Sequence, residues 1–219
     1  DRLRSRGLGD VYKRQIVSIT ELNHKKSKIT LQDGTVFALY KGEIRRLHLS
    51  EGMELVQEQV EEIYHEILRK RIKERALYLL KAADKTEYEI RTKLRQAFYP
   101  EELIDYAVDF LKQYRYIDDQ RYAQNYINLY AERRSRRNIS QKLMQKGISR
   151  ELVNEILDER ENELGESCEK ELIYELLRKR KYNFRETDKK AENRMIGYLL
   201  RRGFGMDDVL YCIRHEPEE

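Results

Sequence analysis

Apolar positions along this chain follow two different periods, and the change between them divides it. From Ile16 to Tyr40 the runs IVSITEL, KITLQ and TVFALY alternate apolar and polar residues. That is the pattern of half-buried strands, whose successive side chains point to opposite faces. Asp33-Gly34 separates the last two runs, and a two-residue type I′ turn, with positive φ at both positions, is expected there. Such a three-stranded antiparallel sheet is marginal alone, so it is expected to pack on helices beginning near Glu43 or Ser50. Beyond Leu55 the period lengthens: Val56, Val60, Ile63, Ile67, then Leu77 and Leu80 recur at helical spacing with charges between them. This stretch reads as one long helix or as two joined near Arg69 to Arg71. Residues 1–15, DRLRSRGLGDVYKRQ, carry neither period and are set aside as a non-native or disordered leader.

The helical part repeats itself. IRTKLRQAFYPEELIDYAV from Ile90, ISQKLMQKGISRELVNEIL from Ile139 and MIGYLLRRGFGMDDVLYCI from Met195 align without gaps, 49 and 56 residues apart. Each places an apolar residue four before a second (Leu94, Leu143, Leu199), a turn position four later (Phe98, Gly147, Gly203), and then Tyr99, Ile148 or Phe204. An amphipathic helix precedes each segment, at Ala76–Lys81, Gln120–Tyr130 and Glu169–Arg180. The expected fold is therefore mainly α: tandem three-helix repeats over 69–117, 118–164 and 165–215, forming an elongated, curved body because each unit alone buries only a thin core. Residues 16–68 add the small N-terminal antiparallel β segment and a helix. Thr86 and Glu89 have the spacing of a capping box. Pro100 with Glu101 and Glu102 suits a first turn, Asp118-Asp119 opens another helix, and Gly147 and Gly203 fit the position just past a helix end.

Composition sharpens this picture. Charged residues make up 38% of the chain, with only two prolines and ten glycines, which favours short amphipathic helices. The formal net charge is +4. Arg2, Arg4, Arg6, Lys13 and Arg14 against Asp1 and Asp10 supply most of it, so the remainder is close to neutral and any nucleic-acid contact must come from local clustering. Cys168 and Cys212 have no CxxC spacing, the four histidines are scattered, and no apolar run has the length of a membrane span. These features point to a reduced, cytoplasmic protein with no metal, no cofactor and no membrane. No triad, carboxylate pair or phosphate loop can be assembled, so no catalytic residue is assigned.

YIDDQRYAQNYI followed by RRSRRNISQKLMQKGI resembles the central signature of the RecX regulatory proteins, and KTEYEIRTKL resembles the start of their first repeat. The resemblance covers about residues 16–215. It implies a modulator of the RecA recombinase that lodges in the RecA–DNA filament and mostly inhibits its ATPase, strand-exchange and coprotease activities, a role in DNA repair, the SOS response and regulation of recombination. Phe98, where the first unit usually has glycine, and Ser135, in place of a glycine-containing turn, depart from the family pattern.

The residues expected to carry binding are Arg133, Arg134, Arg136 and Arg137, extended by Lys142 and Lys146, with Arg201 and Arg202 in the third unit. Cations at a helix end relieve its dipole, but four arginines within five residues exceed what capping needs. Tyr116, Asp118, Asp119, Tyr122, Ala123, Leu143 and Gly147 are read as motif and structural positions; Tyr122 and Tyr126 have core spacing, and the two aspartates cap. Arg178 to Lys181 could add a second basic surface or form a wet face. The expected partner is the RecA filament, with weak binding to single- or double-stranded DNA, by a monomer. The competing readings are a helix-turn-helix-like DNA binder, which would show sequence preference, and a helical adaptor.

Overall fold

The computed structural model describes residues 14–164, 169–184 and 188–217. Residues 1–13 and Cys168 lie outside the described residues. Two compact units are present, the first ending at Ile117 and the second beginning at Asp118. The fold is mostly helical, with a small antiparallel sheet in the first unit.

That sheet has four strands where three are expected: β1 Arg14–Glu21, β2 Lys26–Leu31, β3 Val36–Tyr40 and β4 Glu54–Leu55, in the order β3-β2-β1-β4. Leu55 and Glu54 pair with Arg14 and Gln15, so the last two residues assigned to the leader belong to β1. Two residues are too few to show an alternation, which is why β4 is silent in sequence. The β2–β3 turn also differs from expectation. The Gly34 N–H donates to the Leu31 carbonyl at 3.0 Å and the Leu31 N–H to the Thr35 carbonyl at 2.9 Å, with Gly34 at φ +83° and no positive φ at Asp33. This is a three-residue loop with a left-handed glycine, stabilised by the Asp33 carboxylate accepting from the Thr35 N–H, instead of a two-residue I′ turn. A bulge between Ile16 and Ser18 turns Val17 outward.

Helix α1 spans Lys41–Arg46, and α2 (Gln57–Glu61) runs without a break through π-helical Glu62–Leu68 into α3 (Arg69–Leu80). The two alternatives for this stretch resolve into one continuous helical run. Its wider π turns bring Ile63, Tyr64, Ile67 and Leu68 all onto the buried side, against the sheet, where Phe37 meets Tyr64 edge-on at 6.2 Å. Sheet and first repeat share one core that includes Ile16, Ile29, Leu39, Ile72, Ile90, Leu94 and Ile104.

The three repeats are α3 with α4 (Glu87–Gln96) and α5 (Glu101–Gln113); α6 (Asp119–Tyr130), α7 (Arg136–Gln145) and α8 (Arg150–Leu164); and α9 (Glu169–Lys179), α10 (Lys189–Leu200) and α11 (Met206–Arg214). Each middle helix is followed by one residue at positive φ: Phe98 at +61°, Gly147 at +83° and Gly203 at +90°. Their N–H groups donate at 2.9 Å to the carbonyls of Arg95, Met144 and Leu200, and the next residues, Tyr99, Ile148 and Phe204, turn into the core. Phe98 thus adopts the conformation glycine takes in the other units, at a cost of about 1–2 kcal/mol for an L residue. The Thr86–Glu89 capping box forms in both directions at 3.2 Å, and the Asp118 carboxylate accepts from the Arg121 N–H at 2.9 Å. Pro100 is the capping residue before α5.

Within the second unit the second and third repeats keep separate small cores, one around Ala123, Ile127, Leu143 and Val153, the other around Ile173, Leu177, Leu199 and Val209. Polar contacts join them. Ser135, 1% exposed, accepts from the Asn138 N–H at 3.1 Å and donates to the Gly203 carbonyl at 2.8 Å, while its own N–H donates to the Arg202 carbonyl at 3.1 Å. A Cβ on Gly203 would sit 2.5 Å from the Asn138 Cβ and 2.7 Å from the Ser135 Oγ. Gly203→Ala is therefore expected to cost about 2–4 kcal/mol in urea unfolding, from left-handed strain plus overpacking. Gly34→Ala, with a similar φ but open space around it, is expected to show only the backbone part, about 1–2 kcal/mol.

Candidate basic interface

The arginine cluster sits where the second and third repeats are clamped together. Ser135 starts α7, and the Glu169 carboxylate from the start of α9 accepts the backbone N–H of Arg136. A third-repeat carboxylate thus caps the middle helix of the second repeat, a placement its dipole favours. Burial and the neighbouring Asp208 hold the Glu169 carboxyl above the ordinary value of 4.5 in spite of that bond.

The expected cations do not all serve one surface. Arg134 donates to the Asn138 Oδ1 at 3.0 Å and lies 5.1 Å from the Tyr130 ring centre, and Arg136 pairs with Asp158 at 2.5 Å. Lys142 reaches Gln145, Lys146 lies over Tyr122, and Arg202 lies 4.0 Å from the Tyr198 ring centre. Arg133 and Arg137 are exposed. Tyr122, Tyr126 and Tyr130 pack half-buried against the second core, with Ala123 and Leu143 inside it. Tyr116 is instead half exposed in the first unit, stacked on Tyr114.

Arg136 and Arg137 line a groove of 530 Å³ between α7 and α8, together with Gln141, Arg150, Asn154 and Glu169. The corresponding crevice of the first repeat is closed by ion pairs. There Arg91 bridges Glu87 and Asp105, and Arg95 pairs with Glu101. Forty-nine residues further on, those five positions are Ser140, Arg136, Asn154, Met144 and Arg150. Substituting the pairing carboxylates by Arg136, Asn154 and Arg150 leaves the second crevice open and basic. Sequence reading missed Arg150, Asn154 and Glu169. Overlaying the first repeat's charges on the second would have exposed the first two, whereas Glu169 arrives from another repeat and leaves no local signal.

Fold and site together define a helical-repeat protein with an arginine-rich surface on its second repeat. Its three units match, in order, the RecX first three-helix domain over residues 73–111, the RecX second three-helix domain over 118–157 and the RecX third three-helix domain over 169–213. The chain belongs to the RecX family. It is 34% identical to the regulatory protein RecX of Clostridium botulinum over 57% of this chain and 58% of that protein, and 34% identical to that of Clostridium acetobutylicum over 63% and 64%. These alignments span less than two thirds of both relatives. The regulatory protein RecX of Clostridium beijerinckii is 28% identical over 90% of this chain and 92% of its own length. A crystal structure of a regulatory protein RecX has the same fold, with a TM-score of 0.53 at 23% identity, covering 92% of this chain and all of that one. RecX from Lactobacillus salivarius gives 0.51 at 23% identity, over 67% and 94%. Among the described residues no helix is long and apolar enough to cross a membrane, and no group of three or more His, Cys, Asp or Glu could hold a metal ion.

The raised Glu169 carboxyl makes stability depend on pH. A folded carboxyl above its unfolded value binds more protons than the unfolded chain, so its contribution falls as pH rises from about 4.5 through the folded value. Carboxyls held low by ion pairs, such as Glu101 beside Arg95, act below that window and in the opposite sense. Thermal melts are expected to show a decline above pH 4.5 that Glu169→Gln removes; an unchanged profile in that variant would assign the decline to another group.

Proposed function

We propose that this chain is a regulatory protein of the RecA recombinase that binds the RecA–DNA filament and mostly inhibits its ATPase, strand-exchange and coprotease activities. The observation that carries the reading is the match of three consecutive three-helix domains, in order, to a family whose similar members are named regulatory proteins. The basic surface of the second repeat supports it, since exposed Arg133 and Arg137 flank a helix start whose backbone is held from the third repeat. A binding surface fixed before contact loses less conformational freedom on association. Guanidinium groups suit phosphate and carboxylate oxygens, the acceptors that a nucleoprotein filament presents. The chain acts without catalysis or cofactor, as a cytoplasmic monomer, within DNA repair and the SOS response.

Purified protein is expected to slow RecA-driven ATP hydrolysis on single-stranded DNA at near-equal ratios and low salt. Arg133→Glu with Arg137→Glu spares the cations tied into Tyr130, Asn138 and Asp158, so helicity should hold while the half-inhibitory concentration rises about tenfold. Folded wild-type protein that leaves hydrolysis untouched would remove the reading. Tight binding to duplex DNA with clear sequence preference would favour the helix-turn-helix alternative.

A further inference from the structure

The third repeat carries a second groove, of 440 Å³, lined by Arg180, Lys181 and Asn183 after α9 and by Arg194, Tyr198 and Arg201 on and just after α10. Arg194, Tyr198 and Arg201 recur at i, i+4 and i+7, one face of a helix. Arg180 and Lys181 are brought to it by a tight turn in which Lys181 adopts φ +52°, a left-handed conformation costly for a side-chain-bearing residue. Tyr198 holds the local guanidiniums in place: the Arg180 and Arg202 head groups lie 3.9 and 4.0 Å from its ring centre.

The charge balance of this groove differs from that of the first repeat's crevice. Among the described residues no carboxylate lines it, and none of Arg180, Lys181, Arg194 and Arg201 is in an ion pair. By contrast, Arg91 is compensated by Glu87 and Asp105, Arg136 by Asp158 and Lys170 by Asp208. Like charges gathered on a concave wall repel one another, and an anionic ligand relieves that repulsion. Three guanidinium groups and an ammonium are donors suited to phosphate oxygens. A groove of this size admits a few linked phosphates, while a duplex presents its backbones on a convex cylinder too broad to enter.

We propose that this groove binds the phosphodiester backbone of single-stranded DNA, about three consecutive phosphates, without reading base identity. The proposal rests on the regulator reading in that it names what the third repeat touches in a nucleoprotein filament. Its test needs no recombinase, so either can fail without the other.

The test is anisotropy of a fluorescein-labelled oligothymidylate titrated with the full chain at several salt concentrations. Lys181→Glu with Arg194→Glu and Arg201→Glu is expected to weaken binding about tenfold or more and to flatten the log–log salt slope by about 2, at about 0.7 per single-strand phosphate. The milder pair Arg194→Gln and Arg201→Gln should lose about threefold and keeps the question open to measurement if the triple variant does not fold, as judged by circular dichroism. Wild-type affinity in either folded variant overturns the proposal. Displacement of the oligonucleotide by inorganic tripolyphosphate at equal phosphate concentration would assign the groove to free polyphosphate instead. Tighter binding of a duplex than of the single strand, with the same sensitivity to the variants, would overturn the single-strand assignment.

Discussion

Each repeat depends on one backbone residue held at positive φ between its middle and last helices. At Phe98, Gly147 and Gly203 the chain leaves a helix, satisfies an end carbonyl with its own N–H, and turns so that the following Tyr99, Ile148 or Phe204 is buried. Without that turn the last helix of each unit would meet the middle one on the wrong face, and the Leu94, Leu143 and Leu199 positions would lose their cover. Gly203 carries a further load, because the same turn touches Asn138 and accepts a hydrogen bond from Ser135. A local turn in the third repeat therefore also fixes the start of α7.

The electrostatic character of the surface follows from where carboxylates are placed. Lys and Arg total 44 against 40 Asp and Glu, so a basic patch requires that acids be held elsewhere. They are held in the crevice between α4 and α5, where Glu87, Glu101 and Asp105 pair with Arg91 and Arg95. An exposed pair such as Arg95–Glu101 adds little stability, about 0–1 kcal/mol. The larger effect of these pairs is on surface charge, since the first repeat's crevice is neutralised and the equivalent crevice of the second is not. The same three-helix architecture thus presents different surface charge in its first and second copies.

Much of this was legible beforehand where the signal was local. Ile90, Ile139 and Met195, with their partners four and nine residues on, marked the repeats, because a buried helix face requires a fixed period. Thr86 with Glu89 and Asp118 marked helix starts, because those side chains cap through bonds spanning three residues. The arginine cluster was visible as composition, but not its division of labour: Arg134 and Arg136 are tied to Asn138 and Asp158, and only Arg133 and Arg137 are exposed. The β2–β3 turn was misread because an Asp-Gly pair serves both the two-residue turn and the bulged three-residue loop, and the register of the flanking strands chooses between them.

By itself the sequence determined the helical period, the caps and the left-handed turns, since each depends on residues within about five positions of one another, and the triplication, since that local pattern recurs at intervals of 49 and 56 residues. Ser135 shows the other side. In sequence it stands only as a replacement for a glycine-containing turn, yet it is buried because Arg202 and Gly203, nearly seventy positions away, place their carbonyls against it. The addition of β4 to the sheet, the capping of α7 by Glu169 and the gathering of Arg180 with Arg194 likewise needed the tertiary structure. Hydrogen bonds and like-charge convergence act over a few ångströms in space, and no local pattern records which distant residue will arrive within that range.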